Sequence, residues 1–277
     1  MPNSVNTNIG ALVALSSLRG VNNDLDKTSK RVQTGFRVAD AADDAAVFAV
    51  AQGIRGNVKA YASVQSSLAA GEGLGQVTAA ALTGVSNLIG DIKAKFANLA
   101  DGSLNAAQRT VYQEDVKQLI SQVNNYVSQA TYNGKNLLNG TTGGTTVTFV
   151  ADVSGTTLSL ATSSSLSSAV NILSASFVAN YTTAADYNAG ITMLNTLESL
   201  VNTTSATVAA QSRSITLQKG FVDDLVDATK KGLGALVDAD VAQESATLQS
   251  LQVRQQLNIQ ALSIANQQPN TLLSLFR

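Results

Sequence analysis

The chain has 277 residues and contains no His, Cys or Trp, which removes imidazole bases, Ser-His-Asp triads, the usual zinc-ligand sets, thiol nucleophiles and disulfides. Catalysis would have to run on carboxylates, Lys, Ser or Tyr, so a non-enzymatic role without cofactor or metal is expected. Eighteen Lys plus Arg against nineteen Asp plus Glu leave a net charge of −1, and charged residues are only 13% of the chain. No basic block could follow a phosphate backbone, so nucleic acid is not an expected partner. A surface so poor in charge is expected to be covered by further copies of the same chain.

The only prolines are Pro2 and Pro269, so nothing between them need break a helix by ring clash. Val5, Ile9, Leu12, Leu15, Leu18, Val21 and Leu25 recur every three or four residues, the stripe of a helix that meets a partner helix. That spacing predicts a first helix from about Val5 to Arg31, capped by Asn3, Ser4, Asn6 or Thr7 and ended near Gly35. An acidic-alanine segment follows, with Asp40, Asp43 and Asp44 on one turn or loop. A second helix is expected over roughly Gln52 to Leu99. Gly71, Gly73 and Gly75 oppose it by about 1 kcal/mol each against Ala, and close helix–helix approach could offset that.

Ser103 is the expected cap of a third helix reaching Gln129, with Val111, Val116, Leu119, Val123 and Tyr126 as its buried stripe. Asn133-Gly134 then signals a tight turn. From Thr141 to Ser168, fifteen of twenty-eight residues are Ser or Thr. Within that stretch Val147, Phe149 and Ala151, then Leu158 and Leu160, alternate as in a small β-hairpin. Helical patterning returns from Tyr187 to Lys231, Gly232 and Gly234 form an expected hinge, and a terminal helix covers Leu236 to Asn266. Val237, Val241, Leu248, Leu251, Ile259 and Leu262 make its stripe. The fold class expected is mainly α: long antiparallel helices forming a coiled-coil rod, with a small β-hairpin excursion in the central region.

The carboxylates at Asp40, Asp43 and Asp44 could serve a cation or general acid–base chemistry, but Asp near a helix N-terminus is more simply a cap. Gly71-Glu72-Gly73-Leu74-Gly75 lacks the Gly-Lys-Ser/Thr of a phosphate loop and reads as close-packed helix. Ser163, Ser164, Ser165, Ser167 and Ser168 read equally as a modification target or a solvated linker. The run from Gln255 to Phe276 carries no charge and is long enough to span a membrane, but it holds five Gln and three Asn, so no membrane insertion is expected. Arg19 is the first positive charge and follows the apolar stripe, unlike a secretory signal peptide. A cytoplasmic protein, or export without cleavage of a leader, is therefore expected.

Several motifs in order resemble those of bacterial flagellins. They are Val5-Asn6-Thr7-Asn8 with Ala11-Leu12, then Ala41-Ala42-Asp43-Asp44-Ala45-Ala46, then the run from Tyr132-Asn133-Gly134-Lys135 to Asn139-Gly140. Near the C-terminus they are Asp238-Ala239-Asp240-Val241-Ala242-Gln243-Glu244-Ser245, Ala261-Leu262-Ser263-Ile264-Ala265-Asn266-Gln267 and Leu275-Phe276-Arg277. The sequence departs from the family at Val47-Phe48, where Gly-Leu is usual, and its central region is short. The resemblance implies a filament subunit exported to the extracellular flagellum. Residues 1–35 and 233–277 would form an inner coiled coil, 36–140 and 185–232 the rod helices, and 141–184 a short central β/loop region. It places the polymer interface on Val5, Ile9, Leu12, Leu18, Leu25, Asp43, Asp44, Leu248, Leu251, Ile259 and Leu262. Glycosylation is expected among Thr141, Thr142, Thr145, Thr146, Thr162, Ser163, Ser164, Ser165, Ser167 and Ser168. Implied partners are the chain itself and other flagellins, the export apparatus and its chaperone, and the cap and hook-junction proteins. A hook–filament junction protein is the alternative within the lineage, and a cytoplasmic coiled-coil binding module is the alternative outside it.

Overall fold

The computed structural model describes residues 7–140, 146–161, 163–178 and 184–274. Among them lie six α-helices and two separate two-stranded antiparallel sheets. The chain divides into two compact units, residues 1–58 with 228–277 and residues 59–227.

In the first unit, α1 (Ile9–Thr34) starts at Asn8, whose side-chain oxygen accepts the Ala11 N–H at 3.0 Å. It ends at Gly35, which takes the left-handed conformation (φ 72°) and returns its N–H to the Arg31 oxygen. Glycine adopts that conformation without a Cβ penalty, and this matches the expected stop. Val5 lies outside the described residues. α2 (Ala45–Leu99) begins under the Asp44 carboxylate, which accepts the Ala46 and Val47 N–H groups at 3.0 Å each. Asp44 is therefore a cap, as the simpler reading held.

The expected hinge at Gly232 and Gly234 does not form. α5 (Ala184–Val237) continues through both glycines, and the chain breaks at Asp238, Ala239 and Asp240. The reason is a capping acceptor: Asp240 takes the Ala242 and Gln243 N–H groups and starts α6 (Val241–Ser274). A glycine lowers helix propensity, but a helix end also needs partners for its free donors.

In the second unit, α3 (Ala106–Gln129) is capped by Asn105 in a capping box with Gln108, not by Ser103. Its buried residues are Val116, Ile120, Val123 and Val127. Val111 and Tyr126, expected inside, are exposed, because the true stripe is rotated toward Ile120 and Val127. β1 (Thr131–Tyr132) and β2 (Lys135–Asn136) pair across Asn133-Gly134, both at positive φ, as the Asn-Gly turn required. The buried Asn136 side chain donates to the Val127 and Ser128 oxygens and accepts from the Leu138 and Asn139 N–H groups. It thereby closes the end of α3 and shapes the chain beyond it.

β3 (Thr146–Val150) and β4 (Thr157–Ala161) form the expected hairpin, with Val147 opposite Leu160 and Phe149 opposite Leu158. Three side chains hold it. Ser67 accepts the Val150 N–H, Gln211 accepts the Ala161 N–H, and Gln218 donates to the Ala151 oxygen, each at 2.9 Å. Within the stretch read as β and loop, α4 (Ser164–Val178) is an unexpected helix. Leu166, Val170, Leu173 and Phe177 recur every three or four residues and are buried, a signal masked by the serines between them.

α2 and α5 run antiparallel inside this unit. Gln65 donates to Asp223 at 2.5 Å, Glu72 pairs with Lys219 at 2.9 Å, and Lys93 pairs with Glu198. The glycine triplet stays helical because three neighbours use its missing side chains. A Cβ at Gly71 would sit 3.1 Å from Phe149 and Ile215, one at Gly73 would sit 2.8 Å from Tyr132, and one at Gly75 would strike Ser212. Close approach thus offsets the propensity penalty. One core cluster gathers α2 through α5 around Phe96, whose ring meets Phe177 edge-on at 5.4 Å and Tyr187 at 6.4 Å. A second joins Leu68 and Leu74 to Leu160, Ile215 and Val222.

Candidate assembly surface

The first unit exposes apolar surface on a helix pair, and that surface is the candidate site. α1 and α6 lie antiparallel, tied at four levels. Asn8 donates to the Ala265 oxygen at 2.7 Å, Asn258 to Ser17 at 3.2 Å, Gln255 to Asn22 at 2.8 Å, and Arg31 to Glu244 at 3.2 Å. Amides make most of these ties, which fix register without placing charge along the seam.

Two helices alone bury little. Among the described residues of α1 and α6, Thr28 and Leu251 are buried, while Leu18, Leu25, Leu248 and Leu262 remain half-buried. Ile9, Leu12 and Ile259 are exposed. The residues grouped from sequence thus divide between the seam and open surface. A further stripe escaped that reading: Val253, Leu257 and Ile264, 56%, 57% and 70% exposed. At 3.6 residues per turn they fall on the side of α6 opposite Leu251. The signal was present, since apolar residues on both sides of a helix mean burial on both sides. Val13 extends the exposed surface of α1 in the same way.

At the foot of this pair the two helix breaks are stapled together. Phe36 and Asp238 form an antiparallel bridge. The Arg37 N–H donates to the Val237 oxygen at 2.7 Å, and the Ala239 N–H donates to the Gly35 oxygen at 2.9 Å. The Arg37 guanidinium reaches the Leu236 oxygen at 2.5 Å. Val38, Ala51 and Val237 form a small core below, with Phe48 and Leu236 packed on it.

Asp43 is absorbed by the same joint: its carboxylate accepts the Ala39 and Asp40 N–H groups and faces Lys30 at 3.8 Å. Lys30 also pairs with Asp40. That hydrogen bond holds the Asp40 carboxyl below the usual carboxylate range and the Lys30 ammonium above its usual value. Among the described residues no acidic group is arranged to hold a metal ion, and no helix is long and apolar enough to cross a membrane.

Of the glycosylation candidates, Thr141, Thr142, Thr145 and Thr162 lie outside the described residues. Thr146 is exposed on β3, and Ser165 and Ser168 are exposed on α4, whereas Ser167 is half-buried. Ser164 is the first residue of α4. The Ser163 hydroxyl accepts from Thr204 at 3.2 Å, and its N–H is given to the Leu137 oxygen.

Residues 5–142 match the bacterial flagellin N-terminal helical region, and residues 191–276 match the C-terminal helical region. The chain is 36% identical over 278 residues to flagellin FljK of Caulobacter vibrioides, covering 99% of each chain. It is also 36% identical over 284 residues to a flagellin of Brucella melitensis biotype 1, again covering 99% of both. Among solved structures, a putative flagellar hook-associated protein from Vibrio parahaemolyticus shares the fold. Its TM-score is 0.61 at 15% identity, over 71% of this chain and 100% of that one.

Proposed function

This chain belongs to the bacterial flagellin family and is a structural subunit that polymerises into the flagellar filament for swimming motility, and we propose that it joins the filament through the outward apolar faces of the α1–α6 pair. The exposed stripe Val253, Leu257 and Ile264 carries this reading. Three aliphatic side chains in line on an otherwise nearly uncharged helix gain about 1.5–3 kcal/mol each when buried against a neighbour. Ile9, Leu12 and Val13 form the outward face of α1 on the other side of the pair and Ile259 lies on the flank of α6, while Leu18, Leu25, Leu248, Leu251 and Leu262 act at one remove by holding the pair in register. Asp43 and Asp44 serve the joint beneath it.

The same reading includes delivery through the flagellar export apparatus with a chaperone, growth under a cap, and attachment to hook-junction proteins. Modification would fall on outward hydroxyls such as Thr146, Ser165 and Ser168. The intact mass of filament protein tests that point, since the unmodified chain is 28.6 kDa.

Seeded elongation tests the assembly surface. Chains carrying Val253→Gln, Leu257→Gln and Ile264→Gln keep every seam contact and leave the second unit untouched, so that unit should stay folded as in the wild type while the chains fail to extend seeds. Elongation at the wild-type rate would overturn the assignment. A count of copies in purified flagella separates a filament subunit from a junction protein, which is present in few copies.

A further inference from the structure

The second unit carries two unlike apolar features that point in opposite directions. On α5, Leu217 and Phe221 are 70% and 59% exposed, one turn apart on the same face. They point away from α2, because Ile215 and Val222, on the opposite side of α5, are buried against Leu68 and Leu74. On α2, a groove of about 320 Å³ is lined by Val77, Ala80, Ala81 and Gly84, with Tyr126 and Ala130 from the end of α3 and beyond it. Gly84 is needed there, since a Cβ would lie 2.8 Å from the Tyr126 ring. At about 100° per residue, Val77, Ala80 and Gly84 face away from Gly75, the position that meets Ser212 of α5.

Within this unit, then, the protruding pair and the groove lie on opposite sides of the α2–α5 pair. The groove is uncharged: α2 has no Asp, Glu, Lys or Arg from Gln76 to Gly90, and α3 has none from Gln118 to Gln129. Its alanine and glycine floor and aromatic wall suit aliphatic and aromatic side chains, and its volume admits two of them.

We propose that the α2–α3 groove receives Leu217 and Phe221 of a second copy of this chain. The inference rests on the filament-subunit reading and adds a contact in the second unit that is independent of α1 and α6. Because donor and acceptor surfaces differ and face opposite ways, each copy offers one of each to its neighbours. Such a heterologous contact repeats without closing, the geometry of an open polymer. Burial at one joint would cover the exposed pair and the groove together, so neither remains wet along the row.

The chain has no Cys, so introduced thiols report the contact directly. Full-length chains carrying both Ala80→Cys and Leu217→Cys are assembled on seeds and oxidised. A ladder of covalent oligomers is expected from the double variant and not from either single variant, because the two positions face apart within one chain. In parallel, Ala80→Leu, which fills the groove, and Leu217→Gln with Phe221→Gln, which empties the partner, should each slow elongation at least about ten-fold at unchanged helical content. Thr83→Leu, exposed on α2 outside the groove, should elongate normally. Wild-type elongation by the Ala80→Leu chain, or double-cysteine filaments with no ladder, would overturn the contact while leaving the filament-subunit reading intact. Failure of the wild-type chain to elongate seeds would instead count against that reading itself.

Discussion

Asn8 gives its side-chain N–H to the main-chain oxygen of Ala265 at 2.7 Å, across 257 residues of sequence. The same side chain caps α1 through the Ala11 N–H. One amide thus starts the first helix and fixes its register against the last. Asn8→Ala removes both bonds, and a loss of about 1–2 kcal/mol in local stability is expected. In the filament, hydrogen exchange should quicken in the first turn of α1 and around Ala265, with little change in the second unit.

Asn136 is the most committed polar side chain of the second unit. Its replacement by Ala would leave the Leu138 and Asn139 N–H groups without their acceptor and the Val127 and Ser128 oxygens without their donor. Denaturant unfolding should show a lower midpoint at an unchanged slope, with a loss of about 3 kcal/mol.

Two helical glycines should respond oppositely to alanine. Gly90 has open space where a Cβ would go, so Gly90→Ala should stabilise by up to about 1 kcal/mol. Gly190 presses on the Phe96 ring, itself fixed by Phe177 and Tyr187, so Gly190→Ala should destabilise by about 1–3 kcal/mol. Paired thermal melts of the two variants check the contrast.

The Lys30–Asp40 pair gives the joint a pH dependence. The folded Asp40 pKa is depressed, so its contribution is present above the ordinary carboxylate value, about 3.9, and is lost as pH falls through the lower folded value. The Lys30 pKa is raised, so that contribution is present below its ordinary value and is lost only as pH rises through the higher folded one. Between those limits the pair is intact. Protection of the amides of residues 39–43, relative to their intrinsic exchange at each pH, should therefore fall only at acid or strongly alkaline pH, and Asp40→Asn should remove the acid step.

Much of this was legible from residue type. Gly35, the Asn133-Gly134 turn and the Val147–Phe149 alternation each announce a backbone geometry that few other residues favour. The error at Gly232 and Gly234 has the opposite origin: glycine permits a break, but the Asp240 carboxylate decides where the next helix begins. Tyr126 and Val127 stand three and four residues beyond Val123 on α3, and only packing against α2 and α4 chooses Val127 for the buried stripe. The outer stripe of α6 was hidden because a second apolar face weakens the amphipathic signal that the first one makes.

On the proposed function, the surface of α1 and α6 is completed by neighbouring copies. A helix pair that buries little beyond Thr28 and Leu251 cannot offset backbone ordering of about 1–2 kcal/mol per residue. Hydrogen exchange of residues 8–25 and 248–266, measured on the monomer and on the seeded filament, tests this most directly. Fast exchange is expected in the monomer, with protection at least about a hundred-fold stronger in the filament. Equal, slow exchange in both states would contradict it.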